Sequence, residues 1–180
     1  MIRGKRRDVL FATALGAAAA GAAIAWWRSK PDAGSADAVN SLFGQTLPDA
    51  AGQPHPMSQW SNKVLVVNFW ATWCAPCIEE MPELQKIGDE YRTRGVAIVG
   101  LGIDSADRIR DFQNRLQIRL PLLVAGAAGG ELGRSLGNTT GALPFTVLIG
   151  PKREVTQRKL GRIYAGELRD WLEAELKSTP

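Results

Sequence analysis

Cys74 and Cys77 are the only cysteines of this 180-residue chain, and two residues separate them. Such a pair can carry thiol–disulfide exchange, in which only a thiolate attacks. A free cysteine has a pKa of about 8.5, and a Cys-x-x-Cys pair at a helix N-terminus brings it to roughly 3.5–7.5. The run Val64 to Phe69 before the pair is apolar, and Ile78, Met81, Leu84, Ile87 and Tyr91 after it recur at helical spacing. The dithiol is therefore expected at a strand-to-helix junction. There the unpaired N–H groups of the first turn and the helix dipole favour negative charge on Cys74. Pro76 suits that first turn, because its missing N–H would have had no partner. Cys77, one turn on, should face inward. The expectation is an exposed nucleophile, Cys74, and a resolving thiol, Cys77, that collapses the mixed disulfide.

Three other uses of two cysteines compete. A zinc site needs about four ligands, and beyond the pair the chain has a single histidine, His55. A permanent structural disulfide would close too small a loop to gain much entropy. A Cu(I) carrier needs only two thiolates, but no methionine or further histidine stands in an obvious place beside them. The exchange catalyst is the preferred reading, with neither metal nor cofactor.

The elements that must position the dithiol follow from the patterning. Val64 to Phe69 has the continuous apolar run of a strand covered on both faces. A helix follows, ended by Gly95, then a strand over Val96–Ile103 and a charged helix over Ala106–Leu116. A short strand is expected at Leu120–Val124 and a short helix at Glu131–Leu136, after a Gly/Ala-rich loop. Phe145–Ile149 and Glu154–Leu160 should form an antiparallel hairpin, and Tyr164–Lys177 the last helix. Upstream, Asp49 to Gly52 reads as a turn between two short strands, and Ser58 as the cap of a helical turn. The alternation predicts an α/β fold: a mixed central sheet flanked by helices.

The net charge of +4 is a property of the N-terminus. Residues 1–30 hold six of the 22 basic and one of the 18 acidic residues, leaving 16 against 17 in the remainder. No basic face for nucleic acid is therefore expected. Val9 to Trp27 is a run of 19 uncharged residues after Arg3–Arg7. At about 1.5 Å per residue such a helix nearly spans a bilayer core of roughly 30 Å. The charge bias keeps the N-terminus cytoplasmic and the rest outside. Residues 1–30 thus read as a membrane anchor or export signal, 31–40 as a linker and 41–180 as the folded domain. Ala23-Ile24-Ala25 and Ala36-Asp37-Ala38 resemble cleavage sites, and Arg6-Arg7 resembles a twin-arginine signal.

Val66-Val67-Asn68-Phe69-Trp70-Ala71-Thr72-Trp73-Cys74-Ala75-Pro76-Cys77-Ile78-Glu79-Glu80-Met81-Pro82, together with Gly141-Ala142-Leu143-Pro144-Phe145-Thr146-Val147-Leu148-Ile149, resembles the thioredoxin superfamily. More closely it resembles the TlpA/ResA-like membrane-anchored thioredoxins of bacteria. The likeness covers roughly residues 41–177 and implies a thioredoxin-like fold. It implies that Pro144 is a cis-proline packed against the dithiol, and that Trp73, Ala75, Pro76, Leu143 and Pro144 line the substrate site. Cytoplasmic thioredoxins carry a buried aspartate where this chain has Asn68, and an amide cannot accept that proton. In the ResA-like branch a glutamate three residues after the second cysteine does comparable work. Glu80 holds that place, where burial would raise its pKa and suit it to acid/base work. Pro82 matches a proline inside the helix.

The resemblance implies a periplasmic or outer-face reductase of disulfides in exported proteins, apocytochrome c and copper-site proteins among them. Its electrons would come from a transmembrane thiol carrier of the DsbD type. The same dithiol run as an oxidant or isomerase is the alternative, and a non-catalytic copper-binding module is another. A peroxiredoxin-like peroxidase is disfavoured, because Ala71 stands where a Thr-x-x-Cys motif needs threonine.

Overall fold

The computed structural model describes residues 33–178. The anchor or signal read in residues 1–30 lies outside them. Among the described residues no helix is long and apolar enough to cross a membrane.

The chain order is α1 (Ala33–Phe43), β1 (Thr46–Pro48), β2 (Pro54–Pro56), a 3-10 turn at Met57–Trp60, β3 (Val64–Trp70), α2 (Ala75–Tyr91), β4 (Val96–Gly102) and α3 (Ala106–Leu116). Then come β5 (Leu122–Val124), α4 (Ala128–Ser135), β6 (Phe145–Ile149), β7 (Val155–Leu160) and α5 (Ala165–Ser178). Five strands form one mixed sheet in the order β5-β4-β3-β6-β7. β4 runs parallel to β3 and β5 parallel to β4, whereas β6 and β7 are antiparallel. β1 and β2 make the small hairpin expected around Asp49 to Gly52.

All seven residues of β3 are buried, which explains its unbroken apolar run. Its side chains alternate between two cores. Val64, Val66 and Trp70 pack with α2, α3 and α5, through Met81, Leu84, Ile109, Phe112, Leu168 and Leu172. Leu65, Val67 and Phe69 pack on the other face with Leu42, Met57, Leu136 and Phe145. Trp70 lies over β4 at Gly100, where an added Cβ would come within 3.0 Å of the indole Nε1 and 2.5 Å of Leu122. A side chain there would displace the residue that leads into the dithiol segment.

Three readings are corrected. The stretch 31–40 is not a linker over its last eight residues, because Ala33–Phe43 is helix and Ala38, Val39, Leu42 and Phe43 are buried. The folded region thus begins before residue 41. Its few large apolar residues cluster at the helix end, so the composition looked polar. The cleavage-like Ala36-Asp37-Ala38 consequently lies within a packed helix. Second, Ser58 does not cap its turn, which starts at Met57 with Pro56 in the cap position and no side-chain cap. Third, the helix expected at Glu131 begins at Ala128. Gly129 and Gly133 are buried in it, and a Cβ on Gly129 would meet Ala125 at 2.7 Å, so small residues let the helix lie close to the sheet.

Candidate active site

One end of the sheet gathers the site. β3 ends at Trp70, whose carbonyl accepts from Ile103 N at 2.8 Å, just past β4. Phe145 pairs with Phe69 on one side and with Leu160 on the other, so Pro144 and Gly161 lie level with the end of β3. Gly161 N–H donates to the Pro144 carbonyl at 2.8 Å. Parallel strands direct their carboxyl ends at such a crevice.

Cys74 is the N-cap of α2, in extended backbone at φ −94°, and its carbonyl accepts from Ile78 N at 3.1 Å. Pro76 occupies the first turn. Cys74 and Cys77 are joined as a disulfide with Cα atoms 5.3 Å apart, so the oxidised state is the one seen. Cys77 is fully buried, as expected, but Cys74 is not the exposed residue the spacing suggested: at 6% exposure it too is buried, because its bond to Cys77 holds it in the same core cluster. Trp73 is 64% exposed beside them, and Ala75 and Pro76 are exposed as well. Leu143 is half-buried against the core containing the dithiol, Pro144 is buried, and the peptide bond between them is cis. Leu143 and the dithiol thus share one core cluster, and Trp73, Ala75, Pro76 and Pro144 are their neighbours along the chain.

Glu80 lies one helical turn beyond Cys77 and is fully buried. Asn68 Nδ2 donates to its Oε1 at 2.8 Å, and Ile163 N–H donates to its Oε2 at 2.9 Å. Burial pushes its pKa up to about 7, against the pull of those two hydrogen bonds and of Arg162, while Glu83 pushes it further up. A carboxyl that titrates near neutrality within one turn of a thiol can take up or deliver a proton there. Glu79 and Glu83 are the more exposed neighbours on the same helix, as a solvated face requires.

Four contributors had escaped the sequence reading. Asp104, just beyond β4, accepts from both the backbone N–H of Thr72, at 3.2 Å, and the Thr72 hydroxyl. It thereby pins the segment leading to Trp73 and Cys74. Burial raises its pKa, but the bonds from Thr72 and Ser105 and the Arg108 charge outweigh that and hold it below the usual value. The available signal was an acid at the carboxyl end of a strand parallel to β3. Asn138, 4% exposed, braces the loop before Pro144 by donating to the Ala142 carbonyl at 2.9 Å and accepting from Gly141 N at 3.0 Å. Thr146 accepts from Asn68 Nδ2 at 3.0 Å, and Ile163 contributes a backbone N–H, for which no sequence signal exists.

Comparison with known proteins gives a consistent picture. The AhpC/TSA family model matches residues 42–158. The thiol-disulfide oxidoreductase ResA of Bacillus thuringiensis subsp. konkukian is 31% identical over 133 residues, 73% of each chain. Among solved structures, a thioredoxin-related protein from Neisseria meningitidis serogroup B is 32% identical with a TM-score of 0.64, covering 74% of this chain and 99% of that one. A thiol:disulfide interchange protein of the thioredoxin family from Chlorobium tepidum TLS shares the fold, with a TM-score of 0.64 at 22% identity over 73% of this chain and 92% of that one.

Proposed function

Because this chain belongs to the AhpC/TSA family, and within it is a ResA/TlpA-like thiol–disulfide oxidoreductase, we propose that it reduces protein disulfides on the outer side of the cytoplasmic membrane. The observation that carries the reading is a Cys74–Cys77 disulfide at the start of a helix, with a buried carboxyl, Glu80, one turn behind it.

In the reduced protein the Cys74 thiolate attacks one sulfur of the substrate disulfide. A Cys74–substrate bond forms, and the substrate's other sulfur leaves as a thiolate that takes a proton. Cys77 then attacks the Cys74 sulfur, releasing the second substrate thiol and forming the Cys74–Cys77 disulfide. Two electrons and two protons pass to the substrate. Glu80 takes the Cys77 proton as that thiol attacks. Trp73, Ala75 and Pro76 form one rim of the docking site, and Leu143–Pro144 the other, with an extended substrate strand between them.

The N-terminal run of residues 1–30 tethers the domain. Exported proteins whose cysteines must be reduced before cofactor or metal insertion, cytochrome c precursors and copper-site proteins included, are its substrate class. A transmembrane thiol carrier of the DsbD type restores the dithiol. A peroxidase role has less support, since Ala71 replaces the threonine that such chemistry needs.

The test is the midpoint potential of the Cys74–Cys77 pair, read from tryptophan fluorescence in thiol–disulfide buffers. Trp73 is exposed beside the pair and Trp70 is buried beneath it, so both sense its state. A value close to about −270 mV, as in thioredoxin, supports the reductase. A value near about −120 mV makes disulfide formation the better reading.

A further inference from the structure

The connection from β7 to α5, residues 161–164, crosses the outer side of the buried carboxyl. Two backbone bonds fix it there: Gly161 N–H to the Pro144 carbonyl at 2.8 Å, and Ile163 N–H to Glu80 Oε2 at 2.9 Å. The residue between them is Arg162. Its guanidinium bonds Glu79 Oε2 and approaches Glu83 Oε1 at 3.6 Å. Those acids stand one residue before and three after Glu80, so they flank it on α2. The ring of Tyr164 supports the same guanidinium, with Cζ 5.1 Å from its centroid. The Arg162 side chain is only 26% exposed, and its Nε is buried without a partner.

Surface ion pairs of this kind contribute only about 0–1 kcal/mol to stability. Burying an unpartnered guanidinium N–H works against even that. The arrangement makes better sense as electrostatics. A fixed cation stands beside a carboxyl that has left water, where charges are screened least. The strongest charged influences on Glu80 are Arg162 and Glu83. The connection offers Arg162, and its own helix offers Glu83 and, next to it, Glu79. β3 and β6 present Asn68 and Thr146, both uncharged. Arg162 favours the ionised form of Glu80 and Glu83 opposes it.

We propose that Arg162 is the positioning residue of this site: held by Glu79, Glu83 and Tyr164, its charge governs when Glu80 takes a proton from the dithiol or returns it. The proposal rests on the reading of Glu80 as the proton-transfer group. It assigns Glu79 and Glu83, which otherwise look like a solvated face, the task of holding that cation in place.

The test follows the Glu80 carboxyl carbon by NMR in the full chain in detergent, labelled at glutamate and assigned by comparison with Glu80→Gln. The pH profile of dithiol exchange is measured on the same samples. In Arg162→Gln the carboxyl titration should move up by about one pH unit, and the exchange profile should move with it. Arg162→Lys, which keeps the charge, should restore both. Tyr164→Ala, which loosens the guanidinium without changing any charge, should move both in the same direction as Arg162→Gln by a smaller amount, and it decides the matter if Arg162→Gln fails to fold. A carboxyl titration unmoved in these variants overturns the role of Arg162. A titration that moves while the exchange profile does not overturns Glu80 as the proton-transfer group instead, so the two failures are told apart.

Discussion

Asn68 Nδ2 donates to Glu80 Oε1 at 2.8 Å with both side chains fully buried, joining the central strand to the helix that carries the dithiol. The same nitrogen donates to Thr146 Oγ1 at 3.0 Å, so both of its hydrogens are engaged. An aspartate at position 68 would set two carboxyls within hydrogen-bond distance, and one of them would have to stay protonated. The amide avoids this and leaves a single titrating group behind Cys77. Asn68→Asp is therefore expected to raise the Glu80 titration, which the labelled-glutamate NMR experiment would report. An unchanged titration would show that the two side chains are not electrostatically coupled.

The burial of Cys77 behind Cys74 sets an order of attack. Cys77→Ser should accumulate a mixed disulfide through Cys74 with a model disulfide protein, detectable as a mass adduct. Cys74→Ser should form none and lose turnover. A stable adduct on Cys77 in the second variant would reverse the order.

The buried acid also makes stability depend on pH. Glu80 has a pKa of about 7 when folded, against the ordinary 4.5. Between these values the folded chain keeps a proton that the unfolded chain has released. The contribution of Glu80 is thus fully present below about pH 4.5 and is lost as pH rises through about 7. The loss is on the order of 3 kcal/mol by the conversion of about 1.4 kcal/mol per pH unit. Urea unfolding at pH 5 and pH 8 should show this decline in the wild type and not in Glu80→Gln. Equal slopes in the two proteins would mean that Glu80 is ionised throughout.

Asp104 should matter to catalysis through Thr72. Asp104→Ala removes two bonds to the segment before Trp73 and leaves the Thr72 groups without that acceptor. A loss of about 1–3 kcal/mol is expected, with a larger fall in the rate of exchange than in substrate binding. Its carboxyl is held below the usual pKa, so this contribution is present at neutral pH and fades only as pH falls through the acid range. Steady-state kinetics with a fluorescent disulfide substrate, beside thermal melts, would separate the two effects. A wild-type rate in a destabilised protein would make Asp104 purely structural.

The first helix should be part of the folding unit. Leu42 is fully buried against the Met57–Trp60 turn and the sheet. Leu42→Ala is expected to cost about 2–5 kcal/mol, measured by denaturant unfolding. A cost below about 1 kcal/mol would return this stretch to the status of a linker.

The sequence by itself determined what is local. Strand periodicity, helical spacing, the Cys-x-x-Cys pair and the prolines around it are set within a few residues, and α2, α3, β3 and β6 could be read to within a residue or two. So could the mixed sheet, because helices between strands set β3, β4 and β5 parallel while the short turn between β6 and β7 makes that pair antiparallel. α1 was missed because Ala38, Val39, Leu42 and Phe43 reveal an apolar face only once a sheet is present to receive it. The surroundings of Glu80 were beyond reach for a related reason. Ile163 lies 83 residues along the chain from it, and Thr146 lies 78 from Asn68. Asp104 meets Thr72 across 32 residues. A titration near neutrality depends on which groups replace water around a carboxyl, and only the closing of strands β3, β4, β6 and β7 into one sheet decides that.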